Sequence, residues 1–105
     1  MQRKADGSSP IICQAIQQRR KLIFDYNRLR RIVAPYCYGV STRDSEILRA
    51  VQVGGASSSG GYGFGKLWTV SEMSRLELSE EHFEPNDPHY NPDDSAMKRV
   101  ICRIG

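Results

Sequence analysis

Several ordinary features are missing from this chain, and each absence removes a class of protein. No stretch of its 105 residues approaches the roughly twenty consecutive apolar residues that a membrane helix needs, and the opening "MQRKADGSSP" has no apolar signal core. Cysteine is scarce and odd in number. Cys13, Cys37 and Cys102 stand far apart with no CxxC pair, which argues against a disulfide framework or a zinc knuckle and reads as three buried or half-buried thiols. Only two histidines occur, His82 and His89, and neither is close in sequence to Cys37, so that thiol lacks a base to make it a nucleophile. These absences predict a cytoplasmic, non-enzymatic protein without a membrane segment or a cofactor.

Acidic residues are also scarce, but only in one half. Residues 1–50 hold ten Arg and Lys against four acids, whereas residues 71–95 hold one Arg against eight acids. The stretch "RRKLIFDYNRLRRIVAPYCY" concentrates the positive charge and carries Tyr26, Tyr36 and Tyr38 among its arginines. Phosphate neutralisation and flat rings are the two ingredients of single-strand recognition. A basic hairpin that only keeps a small domain soluble has the same composition.

The length suits one domain, and 39% apolar with 26% charged residues is the balance of a chain that folds. Ser9 can cap a helix, Pro10 suits a first helical turn, and Ile12, Ala15, Ile16 and Arg19 repeat at helical spacing, predicting a helix from about Pro10 to Arg20. The period then changes to two. Leu22, Phe24 and Tyr26 alternate on a strand, "NRL" turns the chain, and a second strand runs from Arg30 to Val40 with Pro35 marking an edge or a bulge. "STRDS" is a further turn. "EILRAVQV" is apolar on both faces, Leu48 and Ala50 opposite Ile47, Val51 and Val53, as for a strand covered on both sides. "GGASSSGGYGFG" is a flexible loop, "KLWTV" and "RLELS" are short strands, and "AMKRVICRI" closes the Pro- and Asp-rich tail with a last candidate strand, Lys98, Val100, Cys102 and Ile104 on one side. The division is a flexible N-terminus at 1–9, a domain at 10–83 and a tail at 84–105. One helix and five or six strands predict a small, partly open barrel, its core holding Ile12, Ile16, Leu22, Phe24, Leu48, Ala50, Leu76 and Leu78.

Two motifs are decoys. "GGYGFGK" spaces Gly60, Gly65 and Lys66 like a P-loop, but Leu67 replaces the magnesium-binding hydroxyl and "LWTV" is a strand where a helix N-terminus is required. His82, His89, Asp87, Asp93 and Asp94 are too loosely spaced to define a metal site. Trp68 reads as a ring-packing residue.

"AIQQRRKLIFDYN", "RRIVAP", "EILRAVQV" and "KLWTVSEMSRLELSEEHF" together resemble the WYL domain, a bacterial module named for a Trp-Tyr-Leu triplet, over about Ile11 to Phe83. Phe24 and Tyr26 match its aromatic-x-Tyr strand, and Arg31 with Pro35 matches its Arg four residues before Pro. The triplet falls on Glu46, Ile47 and Leu48, retaining only Leu48. In the Arg-rich stretch Lys66 keeps a charge and Trp68 an aromatic ring, while Thr69 and Glu72 replace arginines. The resemblance implies a mainly β fold with one N-terminal helix, a small five-stranded antiparallel Sm-like (Src-homology-3-type) barrel. It also implies a ligand-sensing, often nucleic-acid-binding role in transcription regulators, here without their usual DNA-binding domain. Arg31, Arg49 and Lys66 are then expected to line one rim, with Tyr26 and Tyr36 beside them, and to hold single-stranded nucleic acid or a nucleotide. The alternative is a protein-interaction or self-association adaptor that binds no nucleic acid.

Overall fold

A computed structural model of the chain describes residues 5–55, 66–86 and 90–104, with backbone alone for 5–9. Helix α1 spans Ala5–Gln18. It buries Ile12, Ala15 and Ile16, an i, i+3, i+4 set that presents one apolar stripe to the sheet. The helix begins earlier than its Ser-Pro signal suggests, so that Pro10 lies inside it, where a proline withholds one backbone N–H from the helical ladder. It ends at Arg19, whose φ of 54° is the left-handed conformation that stops a helix.

Six strands follow: β1 (Arg20–Tyr26), β2 (Leu29–Ser41), β3 (Glu46–Gly55), β4 (Lys66–Thr69), β5 (Ser74–His82) and β6 (Met97–Arg103), with a short 3-10 turn at Val70–Glu72 between β4 and β5. All pairings are antiparallel. The sheet runs β4-β3-β2-β1-β5, and β6 pairs with β2 beside that path. Among the described residues the strands number six, within the five or six that the sequence pattern gives and one more than the five-stranded barrel implied by the resemblance; β4 and β5 do not pair there, so the sheet is not closed. The loop predicted as flexible lies, from residue 56 to 65, outside the described residues. Among the described residues no helix is long and apolar enough to cross a membrane.

Strand β2 organises the sheet by changing partners. Residues 29–33 pair with β1, residues 37–41 pair with β6, and β3 runs along nearly the whole of the opposite edge. The switch falls at Pro35, where the register with β3 shifts between Pro35 and Cys37. Of the two positions a proline tolerates in a sheet, this is the bulge. Where β2 meets β6, Gly39 is forced by space, since a Cβ there would collide with the Arg99 carbonyl.

The main core contains α1's Ile12, Ala15 and Ile16 with Leu22, Phe24, Val33, Tyr38, Leu48, Ala50, Trp68 and Val70. Leu76 and Leu78, expected in the core, are only partly buried against it. A second cluster on the other face of the sheet joins Cys37, Ile47 and Met97, with Tyr90, Ala96 and Val100 packed on it. The tail therefore covers the outer side of β3 at Ile47, whereas Val53 at the other end is 40% exposed. β3 is covered on both faces over only part of its length.

Cys13 and Cys102 are bonded, with Cα atoms 5.8 Å apart and 89 residues between them in sequence, and only Cys37 is free. The reading of three free thiols is corrected here. Sequence distance hid the pairing, because α1 packs on β6 at the far end of the chain.

Asn27 and Arg28 form the two-residue turn of the β1–β2 hairpin, with φ values of 53° and 66°. Both being positive defines the turn whose twist suits a hairpin, and Arg28 adopts it against a steric penalty of about 1 kcal/mol. Replacing Arg28 by Gly should therefore stabilise the fold by about 1 kcal/mol. The melting temperature should rise by several degrees, and an unchanged or lower value in a calorimetric scan would contradict this turn geometry.

Candidate anion site

The residues expected on one rim separate into two groups. Tyr26, Arg31 and Lys66 come together, whereas Tyr36 and Arg49 are engaged elsewhere. Alternation explains the first group: Arg31 pairs with Phe24 across the hairpin, and Lys66 pairs with Ala50 across β3–β4. These positions turn towards the same interior as the core residues Phe24 and Ala50.

Arg31 is only 2% exposed. Its Nε and Nη2 donate to the Tyr26 carbonyl at 3.2 and 3.0 Å, and Nη1 donates to Gln52 Oε1 at 3.4 Å. Its guanidinium carbon lies 5.8 Å from the centre of the Tyr26 ring and 5.6 Å from that of Trp68. The Lys66 ammonium lies 5.7 Å from the Trp68 ring. Both cations thus meet the negative face of an aromatic system, which partly offsets their desolvation. Among the described residues, neither has a carboxylate within ion-pair distance.

Trp68 sits edge-on to Phe24 and Tyr26, with ring centres 5.3 and 5.0 Å away, and its indole N–H donates to the Ala50 carbonyl at 3.1 Å. Tyr26 Oη accepts the Thr69 N–H at 3.1 Å, tying β1 to β4. Gln52 Nε2 donates to the Gly54 carbonyl at 2.9 Å, which orients the amide so that its oxygen faces Arg31. Arg31 and Trp68 are the buried floor of this site, and the half-buried Tyr26 and Lys66 are its accessible side. Sequence reasoning assigned no role here to Gln52 and placed Trp68 with the packing residues. The available signal was a lone amide on the inward face of "LRAVQV", in line with Leu48 and Ala50.

Arg49 instead grips the tail. Its Nε and Nη2 donate to the two carboxylate oxygens of Asp94 at 2.7 and 3.1 Å, and the Asp94 side chain is 6% exposed. Tyr36 is buried between Phe83 and Tyr90, at 5.6 and 5.2 Å, so no base can stack on its face in this arrangement. Much of the basic hairpin is also occupied: Arg30 pairs with Asp25 and Glu77, Lys21 pairs with Glu81, and Arg20 donates to the Ser79 carbonyl. The acidic half of the sequence lies directly beside the basic half because β5 pairs with β1.

Cys37 is buried and donates to Met97 Sδ at 3.5 Å; burial, with a smaller effect from Asp94, pushes its thiol up to about 11. No reactive thiolate forms there near neutral pH. The P-loop-like Lys66 opens a strand rather than a helix, while Gly60 and Gly65 lie outside the described residues. Asp87 and His89 also lie outside them, and among the described residues no group of three potential ligands could hold a metal ion. In comparisons with protein-family models, with curated proteins and with solved structures, the chain matches none.

The Arg49–Asp94 pair gives a pH test. Hydrogen bonds from Arg49, followed by the Ala96 N–H, hold the Asp94 carboxyl below its ordinary value against the opposing effect of burial. Its stabilisation is therefore complete above the unfolded carboxylate pKa of about 3.9 and is lost as pH falls through the lower folded value. Arg49→Met, which leaves the buried carboxylate unpaired, should cost about 3 kcal/mol near neutral pH. That deficit should shrink below about pH 4 as Asp94 becomes protonated. Urea unfolding midpoints at the two pH values check this, and a deficit independent of pH would contradict it.

Proposed function

We propose that the chain is a non-catalytic binding module for an anionic ligand, a nucleotide or the phosphates of a single-stranded nucleic acid, which docks at Lys66 and Tyr26 above Arg31. One observation carries the reading: a buried guanidinium without a carboxylate partner among the described residues, beside a second cation and two aromatic rings. A buried cation held only by neutral acceptors is expensive in stability. Its field is uncancelled, and an arriving phosphate gains from both charges in a setting of low dielectric. The resemblance of the strand pattern to the WYL domain supports the same class, a small Sm-like barrel that senses a ligand, with Arg31 at the family's Arg-x-x-x-Pro position. The occupied cations of the hairpin favour a compact site over a long strand laid along Arg20 to Arg30.

The second reading, an interaction or self-association adaptor, is favoured by the exposed apolar side chains Val53, Leu67 and Ile101. Titration separates the two. Trp68 is the only tryptophan, so its emission reports directly on the site. ATP and a labelled single-stranded oligonucleotide are each titrated at low and moderate salt. For the oligonucleotide, two neutralised phosphates should give a log-log salt slope of roughly −1.4. Lys66→Gln should weaken binding of either probe and flatten that slope by roughly 0.7, while Arg43→Gln, on an exposed turn, should change neither. No binding of either probe at low salt, or equal losses from the two substitutions, would leave the adaptor reading in its place.

A further inference from the structure

The bond between Cys13 and Cys102 joins the first helix to the last strand and encloses most of the chain. Its two ends are held in different ways. Cys102 is in register with Tyr38 on β2, the strand to which β1, β3 and β6 all bond. Cys13 belongs to α1, which lies on the sheet through the single stripe of Ile12, Ala15 and Ile16. Beyond its chain link through Arg19 into β1 and the Arg20–Gln18 hydrogen bond at that end, the helix is held by side-chain packing and this cross-link, without sharing the sheet's hydrogen-bond ladder. Ile12 and Ile16 pack in the same cluster as Phe24 and Trp68, and the Trp68 ring is the wall that both Arg31 and Lys66 face.

We propose that the Cys13–Cys102 bridge is a redox latch: oxidised, it clamps α1 across the sheet and fixes the Trp68 wall; reduced, it lets α1 loosen and weakens the anion site. The effect on the anion site rests on the binding reading above, whereas the effect on α1 does not. The chemistry is thiol–disulfide exchange with an external dithiol. One of its thiolates attacks a sulfur of the bridge, forming a mixed disulfide and releasing the other cysteine as a thiolate. The second thiol of the reagent then displaces the protein, so that two electrons and two protons pass to Cys13 and Cys102 and the reagent leaves as its own disulfide. Both cysteines are half-buried rather than fully enclosed. Cys37 does not compete, because it is buried in the separate cluster on the other face of the sheet. The oxidised state persists in oxidising compartments and is lost in a reducing cytosol, so the latch responds to the redox poise around the protein.

The test combines thiol counting with hydrogen exchange. Protein kept without reductant, quenched in acid, denatured and alkylated should show one modified cysteine, Cys37, and three after dithiothreitol. Dithiothreitol should accelerate amide exchange over residues 11–18 at least tenfold while the β2–β3 amides change little. It should also shift Trp68 emission and weaken ATP binding at least fivefold. The Cys13→Ser/Cys102→Ser double variant should match the reduced protein and ignore dithiothreitol. Three modifiable thiols without reductant, or helix exchange that is equal in the two redox states, would overturn the latch. ATP affinity unchanged by reduction while the helix loosens would overturn its link to the site. Absence of ATP binding in both states, with the helix still responding, would count against the binding reading and leave the clamp on α1 standing.

Discussion

The sheet depends on β2 being long enough to serve three neighbours and bent enough to reach them. Its thirteen residues offer two edges; one is taken by β3, and the other is divided between β1 and β6 on either side of the Pro35 bulge. A straight strand would aim β1 and β6 along one plane, whereas a bulge adds bend and twist. Helix α1 packs across β1, β2, β5 and β6, the strands on both sides of that switch. On the opposite face the tail covers Cys37 and Ile47, so β2 is buried continuously from Val33 to Val40.

The charges follow from the same topology. Because β5 lies beside β1, Glu77 and Glu81 reach Arg30 and Lys21, and because the tail folds beneath β3, Asp94 reaches Arg49. The two hairpin pairs lie at an exposed surface and add little stability individually, and they offset part of the positive charge that the sequence concentrates there. Arg31 and Lys66 are different. Both face the Trp68 ring, Arg31 also donates to neutral acceptors, and neither has a described carboxylate within ion-pair distance.

Local order was legible in the sequence because it is written in periodicity. The helical stripe at Ile12, Ala15 and Ile16 and the alternation of Leu22 and Phe24 required no knowledge of partners, and neither did the presence of a tight turn after Tyr26, which proves one residue shorter than the expected Asn27–Leu29 connection. What the sequence concealed was long-range. Nothing near Met97 says that β6 will pair with β2 about sixty residues earlier, and nothing near Cys13 points to Cys102. The bulge at Pro35 breaks the parity of β2, so Tyr36, Cys37 and Tyr38 are all buried and alternation could not assign them to faces. For that reason Tyr36 was expected at the rim and lies instead against Phe83 and Tyr90. Arg49 was misplaced for a related reason, since its partner Asp94 arrives from a tail rich in Pro and Asp whose path no local pattern describes. Arg31 and Lys66 were legible as cations of interest, but their burial against Trp68 and Gln52 emerges only once β1, β2, β3 and β4 lie side by side.

The central claim is that Arg31 and Lys66 form an anion site floored by Trp68. The most direct measurement follows the Arg31 Nε–H, the Trp68 indole N–H and the Arg20 and Arg30 Nε–H resonances by nitrogen–proton NMR while inorganic pyrophosphate is added. The account predicts that Arg31 and Trp68 shift together along one saturating curve, that Lys66→Gln weakens this curve, and that Arg20 and Arg30 stay nearly still. Movement confined to Arg20 and Arg30, or linear drift of all four without saturation, would contradict it.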